Sequence, residues 1–499
     1  MEIITDGIDI NNGSLDPLPI VAEMPEVDPR TGTDKLKVII VGAGLGGCAC
    51  AMAMHYAGFE VVVYEKIKKF LRLGDSLGLG ENALRLLDRW GCLDKIVSIG
   101  NKSPVFHMRR YDTGEILATQ RLLDMAGYIG HRGDYHQAFI DRVMELGIPI
   151  HMGTNVARYN EDDPSVTLDS GERVQADIVI GADGIKSMCR ELVLGFTDKP
   201  KSSGYACYRA YMPGSKLKND PYAKRLVEKD CMNVWIGPDL HIVQNTCKDG
   251  EEFNWIITHK DEADILESWS QPGDPKEAVK LVADWDPTIV NAMKLTDTCL
   301  DWKIVYREPL PTWVSKSGKV CLLGDAAHPH LPTSAQGASQ AVEDSACLAV
   351  CLQLAGTGNV RLATLTYERL RYARVLKTQK TGEDLRIRWH NALKKVQAGE
   401  KIDPQSIEMR NAWIYPHDAE KDARDRWPAV STQIQRELEV GNVIHPTDLL
   451  GPDRYDIPQI SDEEKAEIDK IVVEMVRNYP PSYTGLERGV TVPIVSPVA

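Results

Sequence analysis

Residues 37–66, KVIIVGAGLGGCACAMAMHYAGFEVVVYEK, decide how the rest of the chain is read. A β-branched run (38–41) is followed by a stretch of small and apolar residues (45–56) and then a second β-branched run (60–64). These lengths predict strand, tight turn, helix and strand within about thirty residues, a βαβ unit. Gly42, Gly44 and Gly47 fill the turn as GxGxxG. There the first glycine permits the sharp turn, the second lets backbone approach a pyrophosphate, and the third lets helix pack on strand. The helix start adds unpaired N–H groups and positive potential for the phosphates. Glu65 closes the second strand 21 residues after Gly44, where a carboxylate can accept hydrogen bonds from a ribose diol. The segment predicts dinucleotide binding and does not separate NAD from FAD.

Composition narrows the classes. A chain of 499 residues, 43% hydrophobic and 26% charged, has an ordinary soluble make-up and room for more than one domain. A net charge of −14 argues against a nucleic-acid partner, which needs a local excess of Lys and Arg. Eleven cysteines, without a CxxC pair, sit in good part in apolar or small-residue stretches. That usage fits free thiols in a reducing intracellular compartment, so a cytoplasmic protein is expected. The acidic start, MEIITDGIDINNGSLD, has no basic region followed by an apolar core, and no signal peptide is expected. Residues 38–54 are uncharged and nearly long enough to span a membrane, but four glycines break them. A buried strand, turn and helix is the expectation, with no transmembrane segment.

Two further segments carry chemistry. DIVIGADGIKSMCR (177–190) ends a buried strand at Asp183 and Gly184, with Ser187 and Arg190 at helical spacing beyond. Alone it also fits an ordinary strand–helix connection capped by an Asp. GDAAHPHLPTSAQG (324–337) begins where the apolar run 320–323 stops and leads into a helix of small residues. It puts an acid, Asp325, at a strand tip a few residues before a helix start. Between 201 and 314, alternating segments such as YACYRAYM, MNVWIG, LHIVQN and FNWIITH predict an antiparallel sheet.

GxGxxG, then GADGIKSMCR, then GDAAHPHLPTSAQGASQAVEDSACLA, in that order, resemble the motifs of the single-component FAD-dependent aromatic hydroxylases. These are the class A monooxygenases of the p-hydroxybenzoate hydroxylase fold, and the likeness is to their salicylate hydroxylase-like branch. It runs from about 36 to about 424, including HDAEKDAR near its end. The implied fold is α/β: a Rossmann-type FAD-binding domain with an inserted, mainly antiparallel β-sheet substrate domain and C-terminal helices. The expected division is an N-terminal extension (1–34), FAD-binding parts (35–105, 128–200 and, with helices, 315–395), substrate-domain parts (106–127 and 201–314) and a C-terminal tail (396–499).

For the cofactor, the resemblance implies that Asp325 binds a hydroxyl of the ribityl chain and that Pro329 and Pro332 shape the loop beside the flavin ring. The helix beginning near Gln336, Gly337 and Ala338 would aim its amides at the N1/O2 edge of the flavin. Reduced flavin is an anion there, and a helix N-terminus stabilises nearby negative charge by ~0.3–2 kcal/mol. Asp183 would sit near the pyrophosphate, in a motif that also serves the nicotinamide cofactor, and Arg132 in HRGDYH would contact FAD. Ser76, in GDSL (74–77), stands where many relatives carry a second glycine.

The implied reaction uses NADH or NADPH to reduce FAD, adds O2 to give a C4a-hydroperoxide, and passes one oxygen to an electron-rich aromatic carbon of a small-molecule substrate. The protein's share is to place the substrate and exclude water. Arg209 matches an active-site arginine of several relatives, with Tyr208 and Ala210 turned to the other face of its strand; an ion-paired strand arginine is the competing reading. His241 is a second candidate for hydrogen bonding to substrate, against a histidine that fills a polar niche. Trp235, Trp255 and Tyr205 fit either a pocket lining or the core. His328 and His330 have no accompanying ligand set, and no metal is expected. Two substrate readings stay open: salicylate or a related phenol, or a polyketide phenol or indole alkaloid met in secondary metabolism. A non-catalytic dinucleotide-binding protein or a plain NAD-linked dehydrogenase would have no need of the Asp325 loop.

Overall fold

The computed structural model describes residues 35–449, apart from 71, 73–75, 123–126, 199, 261–271, 399, 401–406 and 408–412, together with 463, 466, 470 and 473. The expected extension (1–34), Gly74 and Asp75 of the GDSL turn, and nearly all of the tail beyond 449 lie outside the described residues.

β1 (Lys37–Val41), α1 (Leu45–Tyr56) and β2 (Glu60–Glu65) form the expected βαβ unit. β3 (Ser76–Leu79), α2 (Glu81–Arg89) and α3 (Leu93–Ile99) lead to the hairpin β4 (Val105–Arg110) and β5 (Ile116–Arg121). β6 (Tyr128–His131) runs straight into α4 (Arg132–Glu145), and β7 (Ile150–Met152) rejoins the first unit. A three-stranded meander, β8 (Val156–Asn160), β9 (Ser165–Leu168) and β10 (Arg173–Gln175), precedes β11 (Ile178–Gly181) and α5 (Met188–Leu194). Next come β12 (Lys201–Pro213), β13 (Cys231–Ile236), β14 (His241–Cys247) and β15 (Glu252–Lys260). β16 (Pro272–Gly273), α6 (Pro275–Lys280), α7 (Pro287–Lys294) and β17 (Cys299–Tyr306) complete that region. β18 (Val320–Leu322) is followed by α8 (Gly337–Ala355), α9 (Val360–Gln397) and α10 (Ala419–Glu439).

The strands sort into two main sheets. β18, β11, β1, β2 and β7 make a five-stranded sheet in that order, every pair parallel. Its inner strands β1, β2 and β11 are mostly β-branched runs buried along most of their length, as covered parallel sheets require. The small side chains of α1, among them Ala49, Ala51 and Ala53, let α8 pack closely against it. The second sheet has eight strands in the order β16-β17-β12-β15-β14-β13-β4-β5, antiparallel except where β13 meets β4. Strand alternation gives it two different faces. The outer face packs Trp235, Phe253 and Trp255 under α6 and α7, through Ala278 and Ile289. The inner face packs Phe106, Met108, Met232, Val234 and Ile236 against Leu385 and Trp389 of α9.

The structure adds an element to one expected segment and decides one alternative that the sequence leaves open. Part of the stretch read as tail is α10, capped by Asp418 and packed on α8 and α9 through Ala419, Ala423 and Ile434. Its apolar stripe is narrow, charges crowd its other faces and Pro428 lies inside it, so it does not stand out by periodicity. Trp235 and Trp255 belong to the outer-face core, their indole N–H groups donating to Asp286 and Thr296, and they line no site on the inner face. All eleven cysteines are free thiols. Residues 38–54 fold as strand, turn and helix, and among the described residues no helix is long and apolar enough to cross a membrane.

Candidate active site

The three glycines of the first turn have unequal surroundings. Gly42 has φ +100°, and a Cβ there would lie 2.5 Å from the Ala182 carbonyl oxygen. A Cβ on Gly47 would overlap the Gly42 carbonyl, so these two positions are closed by the protein itself. A Cβ on Gly44 would meet nothing within 4 Å. Gly44 is also the N-cap of α1 and supplies no side-chain cap, so that helix start faces open space with its amides uncapped. Glu65 is buried, its carboxylate oxygens accepting from the backbone N–H groups of Ala43 and Ile67 at 2.8 Å each. His136, one turn into α4, reaches the Ala43 carbonyl at 2.6 Å.

The second motif adjoins the first directly. Asp183 follows β11, and its Cα would lie 3.2 Å from a Cβ on Gly42. One of its oxygens accepts from Tyr159 Oη and from the amides of Met188 and Cys189 at the start of α5; its other oxygen, Oδ1, is buried without a partner. Ser187 caps α5 by accepting from the Arg190 amide. Arg190 then crosses to the third motif. Its buried guanidinium donates to the carbonyls of Asp325 and Ala326, 2.8 Å each, and to that of Ile185 at 2.9 Å.

In the third motif, every residue from 320 to 329 is buried except Asp325. The exposed carboxylate lies just past β18, at the carboxyl ends of the parallel strands, where open α/β sheets form their ligand cleft. Burial raises its pKa, partly offset by His328, Arg132 and Arg190 nearby. That puts Arg132, at the start of α4, within electrostatic reach of Asp325. A Cβ on Gly337 would lie 4.0 Å from the Asp325 carboxylate. Gln336, the N-cap of α8, supplies no side-chain cap, so Gly337 and Ala338 open a helix with uncapped amides beside that acid. Pro332 begins a single 3₁₀ turn (Pro332–Ser334) that brings the chain to Ala335, held in the left-handed region at φ 50°. Ser76 opens β3 and pairs with His131 of β6, while the Gly80 amide at the far end of β3 donates to Ser339 in the first turn of α8.

These residues suit an FAD molecule. An open Gly44, an uncapped α1, a fixed Glu65, an unsatisfied Asp183 oxygen and a solvent-facing Asp325 gather at the carboxyl ends of the parallel strands, where open α/β sheets form their ligand cleft, and the uncapped α8 starts beside Asp325. Helix N-termini with free amides at both ends favour a ligand with a pyrophosphate and an anionic ring edge.

The inner face of the large sheet meets this cleft at Ala335, which packs on the cluster of Met232, Val234, Ile236 and Trp389. Arg209 pairs in register with Ile256, and Ile256 with Val243, which lies on that same cluster; all three therefore point to the inner face. Arg209 is buried, its guanidinium 4.9 Å from the centre of the Trp302 ring. His241 pairs with Ile236 and meets Trp389 edge-on, ring centres 5.2 Å apart. Arg209 and His241 thus share one face, two strands and two residues apart, about 12 Å by strand geometry. Tyr208 and Ala210 point to the outer face, as alternation requires.

Trp302, Trp389 and the Arg190 clamp are absent from the sequence-based candidates. Arg190 was visible at helical spacing after Asp183, but its reach to residues 325 and 326 belongs to tertiary structure alone. His328 and His330 hydrogen-bond to Asp344 and Thr378, and among the described residues no cluster of three metal-binding side chains occurs.

Comparison with known proteins agrees with this architecture. The family described as FAD binding domain matches residues 35–380. FAD-dependent monooxygenase nanF of Aspergillus nanangensis is 32% identical over 84% of this chain and 94% of its own. Asperlicin C monooxygenase of Petromyces alliaceus is 30% identical over 83% of this chain and 93% of its own. Among solved structures, CtdE in complex with FAD and substrate 4 is 31% identical, with a TM-score of 0.74 over 80% of this chain and 100% of that one.

Proposed function

The chain belongs to the FAD binding domain family, among the FAD-dependent monooxygenases, and from that premise we propose that it uses NADH or NADPH and O2 to insert one oxygen atom into a large, electron-rich aromatic natural product such as an indole alkaloid or polyketide phenol. The observation that carries this reading is the junction at Ala335, where the loop that leaves Asp325 packs against the sheet face bearing Arg209. A ring lying over that loop would have cofactor groups on one side and a substrate face on the other.

Bound FAD would supply the O2 activation. Asp325 would hold the ribityl chain, Glu65 the adenosine ribose, and Gly44 with Asp183 the pyrophosphate region. Arg132 would flank the cofactor from α4. Gly337 and Ala338 would turn amide N–H groups toward the electron-rich edge of the ring, with Pro332 shaping the loop that excludes water. Arg209 would orient the substrate or stabilise negative charge on it, and His241 would hydrogen-bond to one of its polar groups.

The second substrate reading, salicylate or a related phenol, fits the inner face less well. Arg209 is engaged with Trp302, and His241 with Trp389, so the face is aromatic before it is ionic. Such a lining favours a neutral fused ring over a carboxylated phenol. A relative that acts on asperlicin C supports a role in secondary metabolism.

The test is purification followed by a substrate screen. Yellow protein that releases FAD on denaturation is expected, with NAD(P)H consumption stimulated more by indole alkaloids and polyketide phenols than by salicylate. The product should be one oxygen heavier. Colourless protein that cannot be reconstituted would sink the enzyme reading, and a preference for salicylate would sink the choice of substrate.

A further inference from the structure

Behind the Asp325 loop lies a buried ion cluster that the reading above leaves without a task. Glu343 and Asp344 are fully buried on α8, and Arg371 and Arg374 of α9 are buried against them. The two adjacent acids serve different parts of the chain. Glu343 accepts from Asn82 at 2.5 Å and from both Arg371 and Arg374, and so ties the start of α2 to α9. Asp344 accepts from the Gly324 amide at 3.2 Å, from His328 Nε2 at 2.6 Å and from Arg371 Nε at 2.8 Å. Gly324 and His328 flank Asp325.

We propose that Asp344 is a positioning residue for the cofactor: by gripping the 324–328 turn at both ends, it fixes where the Asp325 carboxylate stands. A bare charge pair would stabilise the fold little, because burying both ions costs nearly what their attraction returns. Specified geometry is the better account. Every group around the Asp344 carboxylate is a donor, so an amide in its place would turn an NH2 against at least one of them. Burial alone would raise the Asp344 pKa, but His328 and Arg371 more than offset this and hold it below the ordinary carboxyl range, so the acceptor stays ionised.

The inference rests on Asp325 holding the cofactor, and the test separates the two. FAD affinity is measured by titrating apoprotein, alongside the melting temperature of the apoprotein, for Asp344→Asn and Asp325→Ala. Folded Asp344→Asn is expected to bind FAD about tenfold more weakly, one hydrogen bond to a charged group being worth that much. Wild-type affinity in Asp344→Asn beside weak binding in Asp325→Ala would overturn the positioning role alone, even if the apoprotein melts earlier. Wild-type affinity in Asp325→Ala would overturn the reading of Asp325 itself. Should Asp344→Asn fail to fold, His328→Leu removes one of the three anchors, since leucine has no donor to offer; weaker FAD binding is then expected, and unchanged binding overturns the proposal.

Discussion

The cleft around Asp325 and the inner face of the large sheet meet at Ala335, yet they are made in opposite ways. The cleft is mostly backbone: closed glycines at 42 and 47, an open one at 44, and two helix starts without caps. The sheet face is mostly side chain: Arg209, Trp302, His241 and Trp389, brought together by strand register and by a helix that arrives from elsewhere in the sequence. A site made of backbone tolerates little variation in residue type, whereas a face made of side chains can change with the substrate while the fold stays fixed.

Substitutions can break that contrast. The largest effect is expected within the glycine turn. Gly42→Ala must place a methyl at 2.5 Å from a carbonyl oxygen at φ +100°, which costs about 3 kcal/mol or more and should yield little soluble protein. Gly44→Ala should fold with an unchanged melting temperature as apoprotein yet bind FAD more weakly. Equal behaviour of the two variants would end the claim that one glycine serves the fold and the other the ligand.

On the sheet side, Arg209→Ala should leave FAD affinity within about twofold while lowering turnover roughly 10²-fold, the scale of one lost electrostatic contact to reacting atoms. Near-normal turnover would make Arg209 a structural arginine. A loss of FAD instead would show that face and cleft are not separable.

The same contrast explains what could be read in advance. Gly42, Gly44, Gly47 and Glu65 fall within one short βαβ unit, where spacing alone sets geometry, so the turn and its acid were legible. Asp325 was legible because a strand end and a helix start bracket it within a dozen or so residues. The partners of Arg209 were not. Trp302 reaches it through the β12–β17 pairing, and Trp389 meets His241 from α9, contacts that no local periodicity encodes. α10 stayed hidden for a related reason, since its narrow stripe becomes a buried face only once α8 and α9 are there to cover it.

The buried network behind the cleft should respond to acid. His417 lies 3.7 Å from Glu343, and burial, then Arg374, lowers its pKa to about 3. An unfolded histidine titrates near 6.5, so on acidification the unfolded chain takes up the proton first. Stability gained by keeping His417 neutral is full above about pH 6.5 and drains away as pH falls toward 3. The melting temperature should therefore drop between about pH 6.5 and 4.5, and His417→Gln should lessen that slope; an identical slope would remove His417 from the account.

The smallest effect is expected where the two regions touch. Ala335→Gly relieves a left-handed alanine worth about 1 kcal/mol but gives up a methyl packed on the sheet-face cluster, so the melting temperature should barely move. A large loss would mean that the methyl, rather than the backbone, sets the junction.

α9 runs 38 residues without a break, about 57 Å of helix. Its first turns bury Ala363, Tyr367 and Arg371 among the neighbours of the parallel sheet, and its later turns set Leu385 and Trp389 over the other one. On the proposed placement of the substrate, specificity would not be a detachable module. A hybrid enzyme that imports residues 201–314 from a relative but keeps its own 385–392 would inherit a floor cut for one guest and a ceiling cut for another; recombination would have to carry both pieces together.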